Sequence, residues 1–307
     1  MFQLYDAHGP IEAIKEDTAV TVGVFDGVHR GHQALLEQLS TLNPNLSSLA
    51  VTLTSHPSFV LGRRDSEYWL DDPDEHLQLL FDAGVDYVAV LPFTAEVARL
   101  SACQMARLMY EQLRMRAMLL GYDSRFGSKQ NDDFDHLPQL ADELGFIYRH
   151  GEPFLVDGEP VSSSRIRQTL LSGDVVSTTR LLGHPYRIEG RVVHGRGVGH
   201  MLGFPTANIS LENTRKMLPA QGVYAVNITA DFCEPLTCFG MANLGTAPTF
   251  GIDKPMLEVH LIDFDGDLYG HEIEVVLHHR LRDIMHFDST EALQRQLQKD
   301  LEACRHE

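Results

Sequence analysis

Two histidines bracket a glycine where an apolar run gives way to a helical period. The run VTVGVFDG precedes HRGHQALLEQL, so His29 and His32 fall in a strand-to-helix turn and the first helical turn. Unpaired N–H groups and the positive dipole end favour an anion there. Gly27 and Gly31 let the backbone approach a phosphate closely. Imidazole donors at this place suit nucleotidyl transfer, which requires that two substrates are held in line and that the charge on the phosphorus is stabilised. The alternatives are a simple helix cap and a metal-binding HxxH motif.

A second segment has the same character. VSSSRIRQTLLSGD, residues 161–174, opens with three serines at a predicted helix start and sets Arg165 and Arg167 in the first turn. Cations there oppose the helix dipole, and a bound anion would relieve the conflict. The alternative is ordinary serine capping with the arginines in solvent.

A third segment is rich in glycine. GRVVHGRGVGHMLGFPTANIS, residues 190–210, contains Gly195, Gly197, Gly199 and Gly203. It is not a dinucleotide fingerprint, because Pro205 and β-type residues follow instead of a helix, and it is not a Walker A loop, because the sequence contains no Gly-Lys-Ser/Thr. It predicts a cradle of loop amides on a β-scaffold. Thr206 and Asn208 stand two apart, so on an extended segment both point to one side and can ligate a hard cation that bridges phosphates.

Two patterns of apolar spacing along the chain predict the helices and strands that position these residues. Up to residue 183, apolar runs at 19–25, 48–53, 86–91 and 117–122 alternate with helical periods at 31–40, 73–83 and 101–116. This alternation predicts an α/β doubly wound parallel sheet, in which ligands bind beyond the carboxyl ends of the strands.

After Pro185 the pattern changes to short alternating segments at 186–193, 222–228, 257–264 and 272–277. They predict an antiparallel barrel or sandwich. A closing helix follows, with Asp288 as its cap, Glu291 at the capping-box position and an apolar stripe of Leu293, Leu297 and Leu301. The predicted domains are 1–183 and 184–307.

Composition narrows the class of protein. The 307 residues carry a formal charge of −18, which disfavours binding to nucleic acid or to an anionic membrane. The four cysteines form no paired CxxC motif, and this pattern is typical of a protein in a reducing cytosol. We interpret Cys233 and Cys238 as two small strand or turn residues rather than as a metal site. We expect neither a signal peptide nor a membrane-spanning segment. We expect a cytoplasmic monomer or weak homo-oligomer.

The first half resembles a known family. HRGH is similar to the HxGH signature of nucleotidyltransferases, and GVFDGVHRGH to its form in FMN adenylyltransferases (FAD synthetases). The serine-rich segment resembles the SSTxIR element of the same family. The resemblance implies that His29 and His32 contact ATP phosphates and that the remaining nucleotide-binding residues of this half include Gly23, Phe25, Asp26, Gly31, Ser163, Ser164 and Arg167.

One further segment of this half matches in part. LLGYDSRFGSKQ, residues 119–130, resembles GxDFRFG with Ser124 in place of Phe, and SKQNDDF replaces the Arg and Gly that often follow Gly127. Asp123 could orient a substrate or end a strand. Arg125 could contact phosphate or form an external salt bridge. TLTSHP, residues 52–57, keeps the His-Pro of a common family segment.

The second half resembles riboflavin kinases. GxxxGFPTAN is followed by LPAQGVYAV, MANLGTAPTF, LEVHLIDFDGDLYG and LRD. The resemblance implies Mg²⁺ on Thr206 and Asn208, Glu258 as catalytic base, and Arg282 on the flavin side. His200, Ile284 and His286 depart from the family pattern. Glu258 alternates with Leu257 and Val259, so it lies on a polar face, where it could accept a hydroxyl proton or merely be solvated.

Together the halves resemble the bifunctional riboflavin kinase/FAD synthetase family. That resemblance implies two ATP-dependent steps, riboflavin to FMN and FMN to FAD with release of pyrophosphate. Two alternatives remain: a monofunctional riboflavin kinase with a degenerate first domain, and a non-catalytic flavin-sensing regulator.

Overall fold

The computed structural model describes residues 1–53, 68–195, 199, 202–212, 214–230, 236–247 and 252–305. It divides the chain into two compact units, Met1–Ser163 and Ser164–Glu307. The division falls earlier than the predicted boundary at 183/184, which stays a prediction.

The first unit is built on a seven-stranded sheet. Its strands are β1 (Gln3–Asp6), β2 (Gly9–Ile11), β3 (Thr18–Val22), β4 (Ser47–Leu53), β5 (Tyr87–Leu91), β6 (Met115–Leu120) and β7 (Ile147–His150). The order is β2-β1-β5-β4-β3-β6-β7, and β3 to β7 run parallel. From β3 the chain builds outward to β4 and β5, then returns to the other side of β3 with β6 and β7. The predicted doubly wound sheet is confirmed, and its strand order switches beside β3.

Helices α1 (Arg30–Leu42), α2 (Pro73–Asp82), α3 (Ala102–Gln112) and α4 (Leu137–Leu144) accompany this sheet, and a small hairpin of β8 (Leu155–Val156) and β9 (Glu159–Pro160) follows. Val20 belongs to one buried apolar cluster and its neighbour Ala19 to another. Apolar clusters on both faces explain why the strands read as continuous apolar runs.

Backbone turns move several predicted boundaries. β3 ends at Val22 rather than at residue 25, since Phe25 adopts a left-handed φ of 51°. α3 ends at Gln112 rather than at 116, because Arg114 has a φ of 52° and Met115 already starts β6.

The second unit contains a closed six-stranded barrel. Its elements are α5 (Ser163–Ser172, which begins at the last residue of the first unit), α6 (Val175–Leu182), β10 (Tyr186–Val193), β11 (Ala207–Ile209), β12 (Gly222–Ala230), β13 (Leu236–Ala247), β14 (Ile252–Leu261), β15 (Glu272–Arg282) and α7 (Thr290–Arg305). The order is β10-β11-β14-β13-β12-β15, and every neighbouring pair is antiparallel. The barrel is therefore the correct one of the two predicted β-architectures.

The C-terminal helix forms as predicted, but its cap differs. α7 begins at Thr290, and the Ala292 N–H donates to Ser289 Oγ at 3.1 Å. Ser289 is thus the capping residue instead of Asp288, and Glu291 lies one residue before the capping-box position. Leu297 and Leu301 pack on a buried cluster of the barrel, as the apolar stripe predicts.

Candidate active sites

The first candidate site is the turn between β3 and α1. Phe25 and Val28 both have positive φ, 51° and 36°, which is uncommon for non-glycine residues and concentrates at functional sites. His29 is extended and caps α1, because its Nδ1 accepts the His32 N–H at 3.3 Å. His32 is consequently the third residue of the helix, where free N–H groups gather. The structure brings the two histidines together at a helix start, as the sequence predicts.

The side chains of this turn pack as a stack of rings. The His29 and His32 centroids are 3.5 Å apart with planes inclined by 17°, and the Phe25 ring meets His32 edge-on at 5.3 Å. A Cβ on Gly31 would lie 3.2 Å from His29 ring atoms, and one on Gly23 would lie 3.0 Å from the Phe25 ring. Both glycines therefore make room for the aromatic stack.

The electrostatics of the stack favour neutral imidazole. Burial, and then the charges of His29 and His76, hold the pKa of His32 well below its ordinary value. His32 Nδ1 is buried and has no hydrogen-bond partner among the described residues. A buried, unpartnered ring nitrogen beside a helix start can exchange a hydrogen bond with a ligand without a fixed charge on the protein.

The predicted serine segment contacts the same turn through Ser163. Ser163 Oγ donates to the Asp26 carbonyl oxygen at 3.3 Å, and Asp26 is itself buried. Ser164 and Arg167 follow in α5. Because the helix starts at Ser163, Arg167 lies in its second turn rather than in the first.

The segment after β6 gives Arg125 partners of its own. Its Nη2 lies 3.3 Å from Asp132 and 3.4 Å from Asp135, and its guanidinium covers the Phe134 ring at 4.5 Å. These contacts compete with the predicted phosphate contact. Asp123 is exposed in the turn after β6, so both of its predicted roles remain open.

The second candidate site is a row of polar residues across three strands of the barrel. Asn208 on β11 is opposite Glu258 on β14, and Glu258 is opposite Asn243 on β13. Directly opposed residues share one face of a sheet. Leu257 and Val259 are fully buried and Glu258 is half-buried, which agrees with the predicted alternation. Asn243 was not predicted as a site residue from the sequence. The pattern that could have indicated it is a polar residue inside the apolar run MANL.

The glycine loop packs onto this row. A Cβ on Gly195 would lie 2.0 Å from Asn208 Nδ2, and one on Gly199 would lie 3.0 Å from Thr206 Oγ1. The Asn208 Oδ1 atom is buried and has no hydrogen-bond partner in the described part of the chain. Gly203 has a φ of 81° and forms the turn before Phe204. Gly195 and Gly199 therefore leave space beside Asn208 and Thr206 that a Cβ would fill.

Other contacts fix the extended segment that carries Thr206. The Phe204 N–H donates to the Gly199 carbonyl at 2.9 Å, and His260 Nδ1 lies 2.7 Å from the Pro205 carbonyl. Beside Thr206 is a cavity of about 260 Å³, which Phe264 and Tyr269 help to line. Asp265 and Asp267 line the same cavity, so it has both aromatic and acidic lining residues next to the predicted cradle.

Arg282 is held by the C-terminal helix. Its Nη2 and Nε donate to Asp300 at 2.7 and 3.0 Å, and Gln296 donates to the same carboxylate at 2.8 Å. Asp300 is buried, so this is an interior ion pair. Its predicted contact with flavin would be made by a guanidinium that α7 already fixes. Ile284 and His286 are exposed just beyond it.

Some predicted residues lie outside the described residues: Gly197, His200, Cys233 and the His-Pro pair at 56–57. In the described ranges, no cluster of three or more His, Cys, Asp or Glu side chains is arranged to hold a metal ion. No helix among those residues is long and apolar enough to cross a membrane.

The fold and the two sites define a class: a nucleotidyltransferase-type α/β unit joined to a kinase-type β-barrel. A family model described as FAD synthetase matches residues 11–165, and one described as riboflavin kinase matches residues 182–307. The chain belongs to the bifunctional riboflavin kinase/FMN adenylyltransferase family. It is 37% identical to the family member of Escherichia coli K12 over 95% of this chain and 93% of that protein.

Two further similarities extend over nearly the whole chain. The Haemophilus influenzae family member is 36% identical over 95% of this chain and 94% of its own. A crystal structure from Streptococcus pneumoniae, titled a macrolide-efflux protein, superposes with a TM-score of 0.87 at 31% identity and covers 95% of both chains. The names of these two proteins differ, and the domain models, which match residues of this chain directly, agree with the Haemophilus protein.

Proposed function

We propose that the barrel phosphorylates riboflavin to FMN and that the α/β unit adenylylates FMN to FAD, each with ATP as co-substrate. The observation that carries the proposal is the opposed pair of Asn208 and Glu258 beneath the glycine cradle. The amide oxygen of Asn208 is buried without a hydrogen-bond partner among the described residues, and the Glu258 carboxylate on the same face is half-buried. Such a pair is expected where a ligand supplies the missing partner, as at a phosphate-transfer site.

In the kinase step, Glu258 is the general base. Its carboxylate accepts the proton of the ribityl 5′-hydroxyl while that oxygen forms a bond to the γ-phosphorus of ATP. The bond from the γ-phosphorus to the bridging oxygen breaks, and ADP leaves. The cradle formed by Gly195, Gly197, Gly199 and Gly203 supplies main-chain donors to the phosphates.

The cation of this step is Mg²⁺, and the residues fit it. Thr206 supplies a hydroxyl oxygen, and Asn208 supplies the buried Oδ1 that has no protein partner in the described part of the chain. Oxygen ligands of this kind suit a hard cation that keeps water and phosphate oxygens. When bound, Mg²⁺ would neutralise charge on the phosphates.

In the adenylyl-transfer step, the His29–His32 stack holds the triphosphate at the start of α1. An FMN phosphate oxygen attacks the α-phosphorus of ATP, the bond to the β-phosphate oxygen breaks, and pyrophosphate leaves. The turn itself is formed with the help of Gly23, Phe25, Asp26 and Gly31. The proposed nucleotide-binding residues also include Ser163, Ser164, Arg167, Asp123 and Arg125.

We place the enzyme in the cytoplasm as a monomer or weak homo-oligomer that binds neither nucleic acid nor membrane. The formal charge of −18 and the small number of cysteines support this proposal.

One experiment separates the candidate functions. Purified protein is incubated with riboflavin, ATP and Mg²⁺, and riboflavin, FMN and FAD are resolved over time. We expect FMN to rise first and FAD to follow. A time course that stops at FMN would indicate a monofunctional kinase, and binding of FMN without turnover would indicate a regulator.

A further inference from the structure

A buried histidine of α2 lies between a carboxylate and a hydroxyl. His76 Nδ1 is 2.7 Å from Asp71 Oδ2, and His76 Nε2 is 2.9 Å from Thr52 Oγ1. All three side chains are buried, with exposures of 9%, 2% and 1% for His76, Asp71 and Thr52. Thr52 Oγ1 also lies 3.3 Å from the Val24 carbonyl oxygen, in the loop that leads from β3 to the histidine pair.

The number of protons decides which form of His76 satisfies these contacts. The Thr52 hydroxyl has a single hydrogen. If Nε2 is unprotonated, it accepts a hydrogen bond from the Thr52 hydroxyl, and Thr52 then has no hydrogen left to donate to the Val24 carbonyl. If Nδ1 is unprotonated, a lone pair faces the Asp71 carboxylate. With both nitrogens protonated, His76 donates to Asp71 and to Thr52, and the Thr52 hydroxyl donates to Val24.

The charges that face His76 support the doubly protonated form. Burial lowers the pKa of His76, but Asp71, followed by Asp26 and Glu75, raises it above its ordinary value. From α1, His32 also faces it, and the charge of His76 helps to keep His32 neutral. Because the pKa in the folded protein is raised, the charged form is complete at low pH and is lost as the pH rises through that pKa.

The segment before α2 holds the same loop at a second point. The Leu70 N–H donates to Asp26 Oδ1 at 2.7 Å, and Asp26 is almost fully buried. The loop is therefore fixed at Val24 and at Asp26, on both sides of Phe25 with its left-handed φ of 51°. A strained residue keeps such a conformation only when its surroundings impose it.

We propose that His76 is a positioning residue for adenylyl transfer. In its doubly protonated form it donates to Thr52 and thereby fixes the loop that contains Phe25 and Asp26 and leads to the His29–His32 pair. This inference rests on the proposed adenylyl transfer in the first unit. It adds a group that is not among the predicted phosphate contacts and that makes this activity sensitive to pH.

The test compares three variants of the full-length protein: His76→Gln, His76→Lys and, as a matched control, His136→Gln at an exposed site of the same unit. FAD formation from supplied FMN and riboflavin phosphorylation are both measured from acidic to alkaline pH. His76→Gln should lower the kcat of FAD formation about 10- to 100-fold, the size expected for a misplaced substrate.

The lysine variant provides the rescue. Its ammonium has three donors, and an amine keeps its proton to a higher pH than an imidazole does. It should therefore restore most of the activity and shift to higher pH the alkaline decline that we expect of the unchanged protein. His136→Gln should behave as the unchanged protein. Riboflavin phosphorylation should vary by less than about two-fold in all variants, since its proposed site lies in the other compact unit. Unchanged FAD formation and pH profile in His76→Gln, or equal losses in both activities, would overturn the proposal.

A measurement without activity covers the case in which a variant does not fold. ¹⁵N NMR of the histidine rings of the unchanged protein, with His76 assigned by its loss in His76→Lys or His76→Gln, whichever folds, should show both nitrogens protonated near neutral pH. A singly protonated ring overturns the proposal. If the unchanged protein forms no FAD while the NMR result holds, the proposed function fails, and so does the positioning role of His76.

Discussion

The two candidate sites are built in opposite ways. In the first unit, the key side chains come from one short stretch, Phe25 to His32, at the end of a parallel strand. In the barrel, Asn208, Asn243 and Glu258 come from three antiparallel strands and meet because of their register. A local site is fixed by the backbone conformation of its loop and by the contacts of that loop with neighbouring elements. A site across strands is fixed by the register of the strands that pair. The two sites should therefore fail to different perturbations.

Glu258→Gln should produce the largest difference between the sites. Removing a general base costs about 10²- to 10⁴-fold in rate, so FMN formation should nearly cease. ADP binding should be nearly unchanged, because the amide keeps the shape of the side chain. The two rates are measured with riboflavin and with FMN as separate substrates.

In the same variant, FAD formation from added FMN serves as the internal control and should continue at its original rate. FMN formation at the unchanged rate would exclude Glu258 as the base.

Gly195→Ala should disable the barrel site by crowding alone. The new Cβ would lie 2.0 Å from Asn208 Nδ2, so the loop or the asparagine must move. We expect a loss of about 100-fold in kcat/KM for riboflavin phosphorylation, since a small misplacement has that cost. Gly84→Ala is the matched control: its Cβ meets open space at a φ of 89° in the other unit. If the control lost kinase activity equally, crowding at Asn208 would not be the cause.

Asp300→Asn tests what anchors the C-terminal helix to the barrel. It leaves the Arg282 charge without its buried carboxylate. We expect the free energy of unfolding of the second unit to fall by about 2–3 kcal/mol, below the usual cost of breaking a buried pair because Arg282 is partly exposed. Chemical denaturation followed by kinase activity measures it. FMN formation per folded molecule should stay the same, and a raised KM for riboflavin alone would instead support a flavin contact of Arg282.

Arg125→Ala should have the smallest effect. The guanidinium is exposed and paired with Asp132 and Asp135, and exposed pairs contribute about 0–1 kcal/mol. We expect the KM for ATP in FAD formation to change by less than about two-fold, because these ion pairs compete with phosphate. A rise in KM of ten-fold or more would favour the phosphate contact suggested by the sequence.

The sequence predicts what depends on neighbours in the chain. The HRGH turn and the alternation around Glu258 are local patterns, and the structure places them accordingly. That Thr206 and Asn208 point to one side is also a local pattern, and it stays a prediction. Asn243 could not be assigned, because its relation to Glu258 depends on which strands pair. The same holds for Arg282 with Asp300 and for His76 with Thr52, since each joins two elements through tertiary packing.

The short strand β11 has a consequence for how the kinase site responds to heat. The strand is paired on both sides, because the barrel has no open edge: Asn208 and Ile209 pair with β10, and all three residues pair with β14. Such a strand cannot fray alone while its neighbours remain paired, so its amide protons should exchange with solvent only as slowly as the rest of the barrel. Warming should accordingly leave phosphorylation intact until the barrel melts, and then abolish it in one step.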